Sequence, residues 1–517
     1  MAEKSENDRQ SLVTIHTGES PIPLDQCATL ERSDPCMIVI FGATGDLTAR
    51  KLIPALFNLY RNKGLPESFA IVGCGRTQLD DPQFRSHLEA ELTLREAADR
   101  KLWDDFRSQL YYQPVAYEEP NSYIALAERI SSLDRRHRTG GRKVFYLALP
   151  PSLYQPVARM IGEAGLNHEQ DGSWVRLVVE KPFGRDLKTA EDLDRHLHRH
   201  FKEHQVFRID HYLAKETVQN VLMFRFANAI FEPLWNRRYI DSIDIMATET
   251  LGIEHRSGYY EQAGVLRDMF QNHMLQLLAL TAMEPPSRFE ADWVRDERVK
   301  VFRSLRAFPA DSLADSLVLG QYGAGLVGDK PAAAYREEKG VHPDSIIPTY
   351  AKMKVFVDNW RWQGVPFYLT SGKRLAEKIS RITIHFKKVP HSMFHPALGE
   401  SIHPNSLILG IYPEEQIILT FQTKTPGTRV CLRPVTMDFH YQPEGQAVIQ
   451  DAYEKVLIDC MLGDQMLFWR QDAVELCWAF LTPILNACEI CDNPRSLLHF
   501  YEAGSWGPAA AENLATP

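Results

Sequence analysis

Between Met37 and Phe207, short β-branched apolar runs alternate with longer helix-patterned stretches. No other feature limits the fold of this chain as strongly. The runs are Met37–Phe41, Phe69–Val72, Lys143–Leu149, Val175–Val179 and Gln205–Ile209. Strands of a parallel sheet carry helices on both faces, so they read as continuous apolar runs. The alternation therefore predicts an α/β unit, a Rossmann-like doubly wound parallel sheet. From about Asp210 the pattern changes. Tyr239–Thr250, Tyr350–Asp358, Arg381–Phe386, Asn405–Tyr412, Gln416–Thr423 and Val430–Tyr441 read as strands, several in succession with no helix between them. Arg381-Ile-Thr-Ile-His-Phe386 alternates apolar and polar residues, as a sheet with one solvated or helix-covered face does. An α+β unit with a large, mainly antiparallel sheet is expected there. A chain of 517 residues exceeds what one compact core holds. We divide it into a polar tail (1–33), a dinucleotide-binding unit (34–209) and an α+β unit (210–517) that binds substrate and oligomerises.

Charge and composition remove other classes. A net charge of −9 argues against nucleic acid as a partner. No apolar run approaches the roughly 18 residues a membrane helix needs, and Met274–Met283 falls short. Met1–Leu12 is polar and lacks a signal-peptide core, which points to the cytoplasm. Eight cysteines are too sparse for a disulfide framework. Cys488 and Cys491 form one CxxC with no second pair at zinc-like spacing, so we expect reduced thiols and no metal.

Met37-Ile-Val-Ile-Phe-Gly-Ala-Thr-Gly-Asp-Leu47 is a strand entering a glycine-bearing turn and then a helix. Gly42 and Gly45 let the backbone approach a pyrophosphate, and the helix start offers free N–H groups. Thr44 adds a hydroxyl. The spacing is short of GxGxxG, and a plain tight turn is the alternative. After the second run comes Arg76, where an NAD site places a carboxylate. Its planar cation suits a 2′-phosphate, which favours NADP, with NAD accepted at lower preference. Leu149-Pro150-Pro151 forms a rigid turn fit to wall a ring. Cys74 lies in the same coenzyme region and is a candidate for redox control.

Glu180-Lys181 follows the apolar run Leu177–Val179, where ligand crevices of open α/β sheets lie. Lys181 is placed to touch substrate and cofactor; a buried ion pair is the alternative. Arg208-Ile-Asp-His-Tyr-Leu-Ala-Lys-Glu216 is the densest polar stretch. With a helix starting near Asp210, His211 and Lys215 share a face and, with Tyr212, clamp a dianionic phosphate. Asp210 is free to orient another group, or caps the helix. Tyr259–Gln276 reads as one amphipathic helix whose apolar stripe is interrupted by Asp268, Asn272, His273 and Gln276. Oxidising an alcohol by hydride loss requires a base for the hydroxyl proton. His273 suits that task at neutral pH, the alternative being a satisfied core histidine.

These segments, with Gly42-Ala-Thr-Gly-Asp-Leu47, Arg267-Asp-Met-Phe-Gln-Asn-His273, Gly364-Val-Pro-Phe, Ser371-Gly-Lys373 and Tyr501-Glu-Ala-Gly-Ser-Trp-Gly507, resemble in order those of glucose-6-phosphate dehydrogenases, from about residue 36 to 508. The resemblance implies hydride transfer from the sugar's C1 to NADP⁺, giving 6-phosphogluconolactone, the first oxidative step of the pentose phosphate pathway. It implies His273 as base and Asp210 as its carboxylate partner. His211, Tyr212 and Lys215 would hold the phosphate. Glu249 and Asp268 would meet sugar hydroxyls, with Lys373 and Lys378 approaching from the second unit. Lys181 would bridge sugar and nicotinamide. Gly42, Thr44, Gly45, Asp46, Leu47, Arg76, Pro150 and Pro151 would form the coenzyme site, and the second sheet a homodimer or homotetramer interface. Thr44 stands where the family commonly has serine, Ala214 replaces its usual glycine, and Lys378 sits where some members have arginine. A dehydrogenase of another aldose or aldose phosphate, and a catalytically silent homologue, are the competing readings.

Overall fold

The computed structural model describes residues 32–90, 97–170, 172–213, 216–308, 310–394, 402–428, 431–440, 451–490 and 498–514. Most of the expected N-terminal tail, Lys215, Cys27 and Cys491 lie outside them.

The first sheet holds β1 (Cys36–Phe41), β2 (Phe69–Gly75), β3 (Leu110–Pro114), β4 (Lys143–Leu147), β5 (Val175–Val179) and β6 (Val206–Arg208). All neighbours are parallel, in the order β3-β2-β1-β4-β5-β6. The order reverses between β1 and β4, which opens a crevice at the strand C-termini. Every residue of β1 is buried. Cys36, Ile38 and Ile40 face a core with Leu56 and Trp103, while Met37, Val39 and Phe41 face one with Leu126 and Leu193. Helices on both faces thus account for the unbroken apolar run.

The second sheet has nine strands: β7 (Ile240–Thr248), β8 (Leu317–Gly323), β11 (Tyr350–Phe356), β12 (Pro366–Gly372), β13 (Ser380–Phe386), β14 (Ser406–Tyr412), β15 (Gln416–Lys424), β16 (Leu432–His440) and β17 (Leu498–Glu502). A separate hairpin joins β9 (Gly325–Val327) and β10 (Lys330–Ala332). The order in the large sheet is β16-β15-β14-β13-β7-β12-β11-β8-β17, antiparallel except at β7/β12 and β8/β17. β3, β8, β9, β10, β12 and β17 add to the strands anticipated from the sequence.

Two further differences concern helices. The stretch expected as one helix is two, Ser257–Val265 and Leu266–Met274, broken at Gly264 with φ of +59°. There the Val265 N–H leaves the helix ladder for the Pro348 carbonyl at 3.0 Å. The second piece continues as Leu275–Ala282, buried throughout, so the most apolar stretch of the chain is a core helix. After β6 the chain makes a turn at His211–Leu213, and the helix described next is Glu216–Phe226 rather than one starting at Asp210.

Late in the chain, Ala452–Leu462 returns to the first sheet. It packs on the helix Ile53–Arg61, and Val456, Leu457, Ile458, Cys460 and Met461 complete that core. Trp469 then donates its N–H to the Arg208 carbonyl at the end of β6 at 3.0 Å. Among the described residues no helix is long and apolar enough to cross a membrane.

Candidate active site

The turn after β1 is shaped by its glycines. Gly42 has φ of +84°, and a Cβ there would lie 2.1 Å from the Ala148 carbonyl oxygen after β4. Only glycine permits that approach between β1 and β4. The Gly42 and Ala43 N–H groups are tied to the Cys74 carbonyl at 2.9 and 3.1 Å, and Thr48 Oγ1 donates to the Gly42 carbonyl at 3.1 Å. The first intrahelical bond runs from the Ala49 N–H to the Gly45 carbonyl. The N–H groups of Asp46 and Leu47 precede it, where a helix has donors to spare. Arg76 is exposed just past β2, its guanidinium 5.9 Å from the Tyr117 ring centroid. Pro150 and Pro151 are exposed just past β4. The predicted coenzyme residues therefore gather along the C-terminal edges of β1, β2, β4 and β5. Cys74 is wholly buried and burial pushes its thiol up, so it is not presented to oxidants.

Beyond β5 and β6 lies a second polar group. Asp210 Oδ1 accepts a hydrogen bond from His273 Nδ1 at 2.7 Å and another from the Tyr212 N–H at 2.9 Å. Asp210 thus orients both its own turn and the histidine. Lys181 Nζ lies 3.1 Å from His273 Nε2 and 3.3 Å from both Oδ1 and the backbone carbonyl of Asp268. A lysine ammonium only donates, so Nε2 is the bare, basic nitrogen and Nδ1 carries the proton. The Tyr212 ring stacks on His273 with centroids 4.7 Å apart, and its hydroxyl bonds to Ser380 Oγ on β13.

Burial holds His273 below the ordinary 6.5, and the Lys181 charge helps to outweigh Asp210. Burial alone would raise Asp210, but His273 brings it down to about 2. Burial also opposes ionisation of Asp268, yet Lys181, Lys373 and Arg256 bring it down to about 2. The site thus pairs a neutral imidazole with two ionised carboxylates.

His211 faces a different carboxylate. Its Nε2 lies 3.0 Å from Glu180 Oε2, and Tyr146 OH donates to Glu180 Oε1 at 2.6 Å. The Tyr453 ring, on the returning helix, packs against the His211 ring at 4.3 Å. Lys373 at the end of β12 is paired with Glu249 after β7. The Lys373 carbonyl accepts from Tyr501 OH at 2.6 Å. Lys378 is exposed, 4.3 Å from the Tyr412 ring centroid, and has not joined the group around His273. Tyr259, whose hydroxyl donates to Asp268 Oδ1 at 3.2 Å, and Tyr146, Tyr453 and Ser380 carry no local signal that marks them in the sequence.

The family models for the glucose-6-phosphate dehydrogenase NAD binding domain and C-terminal domain match residues 39–220 and 222–517. The chain belongs to the glucose-6-phosphate dehydrogenase family. The glucose-6-phosphate 1-dehydrogenase of Aggregatibacter actinomycetemcomitans is 48% identical over 483 residues, covering 93% of this chain and 96% of the relative. That of Bacillus subtilis is 40% identical, covering 92% and 96%. Among solved structures, a glucose-6-phosphate dehydrogenase in complex with its substrate glucose-6-phosphate is 35% identical, with a TM-score of 0.85 over 94% of this chain and 98% of that one. The Mycobacterium avium glucose-6-phosphate 1-dehydrogenase reaches 0.79 at 33% identity, covering 93% and 97%.

Proposed function

We propose that this chain oxidises glucose 6-phosphate to 6-phosphoglucono-1,5-lactone with NADP⁺, in the cytoplasm. The observation that carries the reading is the Asp210–His273–Lys181 series, in which a neutral imidazole keeps Nε2 unprotonated. NADP⁺, when bound, accepts a hydride. The turn after β1 suits its pyrophosphate, because the N–H groups of Asp46 and Leu47 precede the first intrahelical bond, where a helix start offers donors to an anion. Arg76 is the cation for its 2′-phosphate. His273 Nε2 takes the proton from the C1 hydroxyl as the hydride leaves C1, and the C1 carbonyl of the lactone forms. Asp210 holds the tautomer and stabilises the imidazolium, the division of labour of a catalytic triad. Lys181 must yield Nε2 to the hydroxyl. The Asp268 carboxylate and carbonyl, both within reach, receive its ammonium when it does.

His211, Tyr212 and Lys215 hold the phosphate, and Glu249, Asp268, Lys373 and Lys378 the sugar hydroxyls. Residues 34–209 carry the coenzyme and 210–517 the substrate. The half-exposed β15 and the mostly exposed β16 support a homodimer or homotetramer built on the large sheet. Light scattering on a sizing column reads the subunit number.

The test is NADPH formation from glucose 6-phosphate by wild type and His273→Asn side by side. Wild type reduces NADP⁺, and the variant is slower by roughly 10²–10⁴-fold. Equal rates remove the base assignment. A folded, inactive wild type removes the substrate.

A further inference from the structure

Arg298 sits on the helix Ala291–Arg303, which packs against both Leu275–Ala282 and Gln471–Ile490. Its side chain is among the most buried in the protein, 1% exposed. Buried arginines nearby are matched by carboxylates: Arg208 by Asp194 and Glu203, and Arg295 by Glu203. Arg298 has none within ion-pair distance among the described residues. Among the described residues its hydrogen bond runs from Nη2 to the Phe468 carbonyl at 2.9 Å, while Nε and Nη1 are buried without partners. A buried guanidinium left unmatched is costly, so its charge has to be answered by something close at hand.

Asp210 answers it. Its Oδ1 is committed to His273 and the Tyr212 N–H, whereas Oδ2 is buried and has no partner. Phe468, which anchors Arg298, precedes Trp469, and Trp469 is bonded to Arg208, two residues before Asp210. Phe468 also packs edge-on against Phe207 at 4.9 Å. The guanidinium is therefore fastened to the strand end that carries the carboxylate. Burial pulls Arg298 down to about 9, with Arg295 acting the same way and Asp210 opposing, so it is a cation at neutral pH.

We propose that Arg298 is a positioning residue for the reaction, a buried cation behind Asp210 that keeps the carboxylate turned toward His273. It touches neither sugar nor coenzyme and acts on the Asp210–His273 pair as a charge. The proposal rests on the reading of His273 as the base. Other charged groups facing the dyad are Lys181 from the end of β5 and Asp268 from the helix Leu266–Met274, with the Tyr212 hydroxyl beside them. Around Arg298 itself stand Arg295, Arg470 and the Cys477 thiol.

The test is the pH dependence of kcat/KM in wild type, Arg298→Gln and Arg298→Lys, beside His273→Asn. Losing a cation near the dyad favours protonation of both its members. Protonated His273 is not a base, so the acid limb in Arg298→Gln moves to higher pH, by about one unit. kcat falls about tenfold, and the KM for NADP⁺ stays within about twofold. Arg298→Lys restores the charge and brings the limb back to the wild-type position. If Arg298→Gln does not fold, Arg298→Met replaces it, a chain of similar length that leaves no side-chain donor buried without a partner. A dead His273→Asn with an unmoved limb in the neutral Arg298 variants overturns the Arg298 proposal alone. Full turnover by His273→Asn overturns the base reading, and the Arg298 proposal with it.

Discussion

Neighbouring residues at the end of β5 serve two histidines. Glu180 holds His211 and Lys181 meets His273, so one short stretch of backbone sets the orientation of both rings. His273 has a depressed pKa, and its neutral form is the active one. The acid limb of kcat/KM therefore lies below pH 6.5, with activity lost as pH falls through it and flat just above; a pH–rate profile measures this. Glu180→Gln weakens the hydrogen bond on His211 while leaving the dyad intact. Its KM for the sugar phosphate rises about tenfold with little change in kcat, as steady-state kinetics will read. Of the dyad, His273 is legible in the sequence as a polar interruption of an apolar helix stripe, whereas the pairing with Asp210 comes from the family resemblance. Tyr146, Tyr259, Tyr453 and Arg298 are not legible. Each lies in an ordinary strand or helix pattern, and only the packing of distant elements brings it to the site.

Among the elements, the strands easiest to read are those covered on both faces, because burial makes them apolar throughout. β1 is visible for that reason, and so is β5 apart from Arg176. β3, Leu-Tyr-Tyr-Gln-Pro, is short and ends in proline, and β8 contains two glycines. Gly320 in β8 makes sense only once Tyr350 and Tyr501 are seen crowding it from the two neighbouring strands. Likewise Gly264 looks like a tolerable helix residue until the Pro348 carbonyl draws the Val265 N–H away. At the β1 turn the constraint is steric. Gly42→Ala adds both left-handed strain and a collision with Ala148, so we expect a loss of at least about 2 kcal/mol in urea unfolding. The KM for NADP⁺ rises in whatever fraction folds.

The molecule as a whole is not two beads in series. The first sheet's core is closed by Ala452–Leu462, and the same helix brings Tyr453 to His211. Leu457 is 1% exposed within that seam. Leu457→Ala should cost about 2–5 kcal/mol, measured by denaturant midpoint, although the residue lies late in the chain. A fragment ending near Arg208 is accordingly expected to aggregate rather than fold alone, since it lacks the helix that covers Ile53–Arg61. The seam also sets a timetable for synthesis. A ribosome adding about 5–20 residues per second completes β6 tens of seconds or so before it makes the helix that seals the sheet. Throughout that interval the nascent first half displays an open apolar groove, the kind of surface that chaperones bind. The enzyme's yield in a cell is then governed by how well that groove is shielded while the rest of the chain is still being made.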